Sequence, residues 1–188
     1  MLGVHFEVIE CNTKEKMLLD LQPKLKGNLL ELRPLLPGDF DDLFTVASDP
    51  LIWEQHPAKN RHEKRIFEKY FSESLNSGGS LIAIDSNNNN VIGSSRYHGY
   101  KPDKSEVEIG WSFLARSHWG GVYNKEMKQL MLQHAFNYVN SVIFLVGAKN
   151  IRSQRAVLKI GGIRVGIRPD ASGNDSLVYQ IAKSNYFK

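Results

Sequence analysis

The chain has 188 residues, 41% of them hydrophobic, which suits one domain with a proper core and leaves too little for two. Its single cysteine, Cys11, excludes an intramolecular disulfide and a cysteine-rich zinc site, and points to a reducing compartment. The net charge of +4 comes from 24 Lys and Arg mixed with 20 Asp and Glu along the chain, whereas duplex binding would want a clustered basic face, so no nucleic-acid partner is expected. No apolar run is long enough to span a membrane, and the first residues lack the basic-then-apolar order of a secretory signal. A cytoplasmic protein with no membrane partner is the expectation.

Residues 1–24 read as an N-terminal extension, with a short strand at Phe6, Val8 and Ile9 and a helical turn over Glu15 to Leu21. Gln22 to Gly27 is a link, and residues 25–188 form the domain proper. Leu29 to Leu35 is a first strand; Pro37-Gly38-Asp39 turns into a helix carrying Phe40, Leu43, Phe44 and Ala47. Asp49 to Pro57 breaks that helix and is rich in groups that can face a ligand, although Trp53 serves equally well as a lid over the core. A second amphipathic helix runs from His62 to Leu75 and ends at Ser77-Gly78-Gly79.

Leu81 to Asp85 and Val91 to Tyr100 flank consecutive asparagines and read as a hairpin, since asparagine tolerates positive φ. A turn at Lys101 to Lys104 leads to the central strand, Val107 to Leu114. There Val107, Ile109, Trp111 and Phe113 alternate with Glu108, Gly110 and Ser112, predicting one apolar face with Glu106 and Glu108 on the other. After Gly120-Gly121 a helix is predicted to open near Tyr123 and Asn124, with Asn124 as its N-cap. Its buried stripe is Met127, Leu130, Met131, His134, Ala135 and Tyr138. A strand that runs through a glycine turn into a helix leaves several backbone N–H groups aimed at one point, which makes an anion site.

Val142 to Ala148 is a continuous apolar run, the mark of a strand buried on both faces. Asn150 to Gly162 reads locally as a capped helix ending in glycine. Gly162 to Gly166 and Leu177 to Ile181 form a final hairpin. The fold class is mixed α/β (α+β), a mostly antiparallel central sheet flanked by helices.

Two segments carry a resemblance. The order strand, Arg116-Ser117-His118-Trp119-Gly120-Gly121, helix resembles the acetyl-coenzyme-A loop of the GNAT superfamily of N-acetyltransferases, usually written Arg/Gln-x-x-Gly-x-Gly/Ala. Val122 and Asn124 depart from that pattern, and Val122 fits where its φ is helical. The aromatic-glycine pair Trp119-Gly120 is similar to the RimJ/RimL-like group. Asn150-Ile151-Arg152-Ser153, followed by Lys159 and Gly161, resembles the family's Asn-x-x-Ser segment. The resemblance covers about Leu25 to Ile181.

The resemblance implies an N-acetyltransferase that moves the acetyl group of acetyl-CoA directly to a primary amine, either a peptide N-terminus or a small molecule. It implies cofactor contacts at Phe113, Leu114, Arg116, Trp119, Gly120, Gly121, Val122, Tyr123, Asn124, Asn150 and Ser153. It implies Glu108 as base, unless that residue is a cross-strand partner for a cation such as Arg96. Ser153 is implied as the acid for the leaving thiolate, with Tyr123 and His118 as weaker candidates, and a backbone N–H near Phe113 or Leu114 as oxyanion donor.

Other chemistries lack their residues. His5, His56, His62, His98, His118 and His134 include no His-x-x-x-His pair with an acidic partner, so no metal is expected. Nor is there a Gly-x-Ser-x-Gly elbow or a P-loop. His134 is a core or boundary histidine. A non-catalytic acetyl-CoA-binding module is the alternative function. A monomer or homodimer is expected.

Overall fold

A computed structural model describes residues 18–169 and 173–187. The strand expected at Phe6 to Ile9 and the first part of the expected turn at Glu15 lie outside the described residues. Leu18 to Leu21 are not helical. Instead Leu19 is buried in the main core, and the Asp20 carbonyl lies 2.7 Å from His134 Nε2.

Eight strands make one sheet: β1 Leu25–Lys26, β2 Leu30–Pro34, β3 Ser80–Asp85, β4 Val91–Lys101, β5 Glu106–Leu114, β6 Ser141–Gly147, β7 Ile163–Pro169 and β8 Asp175–Ala182. Their spatial order is β1-β2-β3-β4-β5-β6-β8-β7, and every pairing is antiparallel except β5 with β6. Among the described residues five α-helices complete it: α1 Phe40–Ala47, α2 Lys64–Asn76, α3 Val122–Ala135, α4 Ile151–Lys159 and α5 Lys183–Tyr186. The mixed, mostly antiparallel sheet is the class that the sequence predicts.

Strand alternation divides the core in two. Leu81 and Ala83 of β3 join Leu30, Leu32, Met127, Met131 and Leu132 in a cluster under α3, while Ile82 points to the other face. On that second face α1 and α2 pack through Leu43, Phe67, Tyr70 and Phe71, with Trp53 and Phe113 closing the layer. Trp53 is buried and donates from Nε1 to the Ala47 carbonyl at 2.8 Å, covering this core as its structural reading expects.

The central strand departs from the sequence reading. Ser94 pairs with Phe113 and Arg96 with Gly110, so β5 spends one residue more than β4 over this stretch. Trp111 absorbs the surplus at φ +51, in the left-handed region that a tryptophan rarely adopts. The bulge reverses the alternation. Val107 and Ile109 face α3, as does Leu114, whereas Phe113 faces Trp53 and Tyr70. The expected single apolar face of Val107, Ile109, Trp111 and Phe113 is therefore two half-faces.

The start of α3 is also corrected. Gly121 is its N-cap and Val122 its first residue, so Asn124 is the third helical residue and caps nothing. Gly120, at φ +84, turns the chain sharply enough for the helix to begin directly after the glycines. The helical placement of Val122 meets the condition set by its departure from the loop pattern.

Candidate active site

β5 and β6 pair in parallel only at Glu106, Val107 and Glu108, opposite Ser141, Val142 and Ile143. β5 continues against β4, and β6 against β8, so beyond this point the two strands diverge. Between them opens a cleft of about 440 Å³. Its walls combine Glu108, Trp111 and Ser112 from β5 and Phe144 to Gly147 from β6. Asn124 and Lys128 come from α3, Ser153 from α4 with its N-cap Asn150, and Trp53, His56, Pro57, Ala58 and Arg61 from the connection after α1.

The loop before α3 adjoins the cleft through Asn124, whereas Phe113, Leu114, Arg116, Trp119, Gly120, Gly121 and Val122 do not line it. No side chain caps the N-terminus of α3, and a Cβ built on Gly120 or Gly121 meets no atom within 4 Å. Unpartnered first-turn N–H groups beside open space suit the oxygens of a phosphate. Trp119 braces the loop: its Nε1 donates to the Leu114 carbonyl at 2.8 Å, and the Arg152 guanidinium lies 4.0 Å from its ring centre. Arg116 forms an ion pair through Nε with Asp49, on the connection after α1.

Tyr123 and His118 point elsewhere. The Tyr123 hydroxyl donates to Asp85 Oδ2 at 3.3 Å, and His118 Nε2 lies 3.2 Å from the same oxygen. Their rings meet edge to face at 4.6 Å, and neither residue lines the cleft. Asp85, with the Asn87 backbone N–H and then His118 bonded to it, stays below the usual carboxylate range.

The second wall is α4. Asn150 Oδ1 accepts from the Ser153 N–H at 3.0 Å, a side-chain cap that fixes the first turn. Because the oxygen is taken by the cap, the amide has its N–H donors to offer a ligand. Both Asn150 and Ser153 line the cleft, so capping and ligand contact are compatible roles.

Glu108 is 8% exposed and lines the cleft with its Oε1 3.0 Å from where a Cβ on Gly110 would stand. Its cross-strand neighbour is His98, and Arg96 faces Gly110. Arg96 donates instead to Ser80 Oγ and Ser74 Oγ and stacks on Trp111 at 4.6 Å, so the expected Glu108–Arg96 pair does not form. Burial raises the Glu108 carboxyl to about 7, against the opposing pull of Arg168, Lys101 and Arg96.

Lys128 is the residue that sequence reading misses. It is 5% exposed, it lines the cleft, and its Nζ donates to Ser95 Oγ at 3.0 Å and to Ser112 Oγ. Burial lowers it to about 7. The available signal is its spacing: four residues before Leu132 and seven before Ala135, it falls on the buried stripe of α3.

The profile of the acetyltransferase (GNAT) domain matches residues 30–163. No curated protein matches the chain in sequence. Solved structures do. A putative acetyltransferase from T. thermophilus is 25% identical with a TM-score of 0.70, over 87% of this chain and 90% of that one. Spermidine N-acetyltransferase from Vibrio cholerae, in complex with CoA and spermine, is 16% identical with a TM-score of 0.66, over 86% of this chain and 100% of that one. Mycobacterium smegmatis RimJ, in complex with CoA-disulfide, is 18% identical with a TM-score of 0.65, over 85% and 84%. Among the described residues no helix is long and apolar enough to cross a membrane.

Proposed function

Because the chain belongs to the GNAT acetyltransferase family, we propose that it is an acetyl-CoA-dependent N-acetyltransferase of the RimJ/RimL-like type, acting on a primary amine. The observation that carries this reading is the divergence of β5 from β6 beside an uncapped helix N-terminus, with a buried carboxyl in the opening. The CoA in two structural relatives supports the choice of ligand.

Acetyl-CoA, when bound, supplies an acetyl thioester. Gly120, Gly121, Val122, Tyr123 and Asn124 would hold its pyrophosphate through backbone N–H groups, with Arg116 and Trp119 flanking them. Asn150 would hold the pantetheine arm through its amide. Glu108 takes the proton of the acceptor ammonium, directly or through water; a carboxyl poised at about 7 suits that transfer near neutral pH. The freed amine would form its C–N bond to the thioester carbonyl as the C–S bond breaks; a backbone N–H near Phe113 or Leu114 would donate to the carbonyl oxygen, and the Ser153 hydroxyl would pass a proton to the departing sulfur and recover one from the acylated nitrogen.

Acetyl-CoA incubated with a broad panel of primary amines should release free thiol, and the product should gain one acetyl group by mass spectrometry. Acetyl-CoA binding with no turnover on any amine would replace this reading with a non-catalytic binding module. Absence of binding would remove both.

A further inference from the structure

One wall of the cleft is rich in cations. Arg61 lines it, its guanidinium 4.6 Å from the Tyr70 ring centre and 5.5 Å from that of Trp53. Arg96, 5% exposed, stacks on Trp111 behind the same wall. Its side-chain hydrogen bonds go to two serine hydroxyls, which are neutral. Among the described residues neither arginine forms an ion pair, since the ion pairs found there are Arg33–Asp39, Arg116–Asp49 and His118–Asp85. Burial, and then the charge of Arg61, lowers the proton affinity of Arg96.

Against these stand Glu73 of α2, whose charge both arginines feel, and Glu108, which acts on Arg96. Glu108 is the only acidic residue among the described residues lining the cleft, where Lys128 is a further basic one. His56 stands beside Arg61, its Nδ1 accepting from the Ala58 N–H at 2.9 Å and its Nε2 lying 3.3 Å from Arg61 Nη1. A desolvated cation calls for an anion, and a site of this sign repels an acceptor with several positive charges.

Resting on the acetyltransferase reading above, we propose that the acceptor is an amine that also carries a carboxylate, which docks on Arg61 at the Trp53–Tyr70 wall while the amine meets Glu108. The carboxylate belongs to a free amino acid or to an acidic residue near a peptide N-terminus, and the chemistry at Arg61 is the same for both. A guanidinium held near two aromatic rings can still offer N–H groups to a carboxylate, so Arg61 sets specificity and not the chemical step.

The test offers each amine with and without its carboxylate. Amino acids are compared with their amides, short peptides bearing Asp or Glu in the second position with the Asn or Gln forms, and spermidine stands as the polycation. The amide's amine is the more easily deprotonated, so intrinsic reactivity favours it. A preference for the acid of about tenfold or more in kcat/KM therefore reports recognition. Whichever pair shows the larger ratio identifies the source of the carboxylate. Arg61→Gln should bring the ratio to near one, chiefly through KM, and Arg61→Lys should keep part of it. Melting curves confirm that each variant is folded, and the wild-type panel decides the matter even if a variant is not. Wild-type preference for amides or spermidine, or an equal loss on both members of each pair in Arg61→Gln, overturns the inference while the acetyltransferase reading stands. No turnover on any amine, with acetyl-CoA still bound, removes both.

Discussion

Replacing Glu108 by glutamine tests the site without needing to know the acceptor. The carboxyl moves from 4.5 to about 7 on folding because burial penalises its charge. At about 1.4 kcal/mol for each tenfold change in proton affinity, the ionised form destabilises the fold by on the order of 3 kcal/mol. The sign follows from proton counts. Between 4.5 and about 7 the folded chain holds a proton that the unfolded chain has released, so the stability of the wild type falls as pH rises through that window. Below it both states are protonated and above it both are ionised, and the difference is constant. Glu108→Gln lacks this term, so its stability relative to wild type should climb by roughly 3 kcal/mol across the window and then level off. Urea unfolding of both proteins from about pH 4 to about pH 8 measures it, since proton linkage appears directly in the midpoint at unchanged m. In turnover, the wild-type rise of kcat/KM through about 7 should flatten in the variant. Parallel stability profiles would refute the argument from burial. A normal rate profile in Glu108→Gln would leave the carboxyl a buried structural group and move the search for a base to Glu106, Glu54 and His56.

Acetyl-CoA should raise the melting temperature of the wild type, and Gly121→Asp should abolish that shift by its charge alone, because Gly121→Ala has open space and extended φ and should retain it. Gly120→Asp should lose the shift too and also lower stability by about 1 kcal/mol, since φ +84 strains any side chain. Ser153→Ala should lower turnover with cofactor affinity kept. Asn150→Ala should weaken cofactor binding and, through the lost cap, cost about 1 kcal/mol of stability; unchanged affinity per folded molecule would confine Asn150 to the cap. Lys128→Met should stabilise the protein at neutral pH by roughly 1–4 kcal/mol, because the buried amine must give up a proton that the unfolded chain keeps. That gain should shrink as pH rises from about 7 toward 10.5, where both states are neutral, and a loss of stability at neutral pH would show the ammonium to be well solvated.

What the sequence reveals of this fold is what short-range patterns encode. The hairpin of β3 and β4 is legible because Asn89 takes φ 59 between two apolar runs, and α4 because Asn150 caps it and Gly161, at φ 92, ends it. The bulge at Trp111 is not legible. Gly110-Trp111-Ser112 carries no local signal for a left-handed tryptophan, and the conformation is imposed by the pairing of Arg96 with Gly110 and the stacking of Arg96 on the indole. The place of β8 between β6 and β7 is likewise a long-range choice, absent from any window of the sequence.

The same distinction explains which site residues could be read. Asn150 and Ser153 sit in a motif and Glu108 on the central strand where the resemblance implies a base, and each lines the cleft, whereas Arg116 and Tyr123 sit at the loop motif yet bind Asp49 and Asp85. Position in a motif fixes the backbone, but a long side chain goes to the nearest compatible partner, which the fold and not the motif supplies. Lys128 and Arg61 show the converse. Neither has a motif, and each acquires its character from burial: one beneath a pair of serines from β4 and β5, the other between two aromatic rings drawn from separate elements. A cation becomes informative only where desolvation makes its charge expensive. On the acetyltransferase reading proposed above, the acceptor side owes its chemistry to such cations and is read from the packing, whereas the cofactor contacts are read from the spacing of Gly120, Gly121, Asn150 and Ser153.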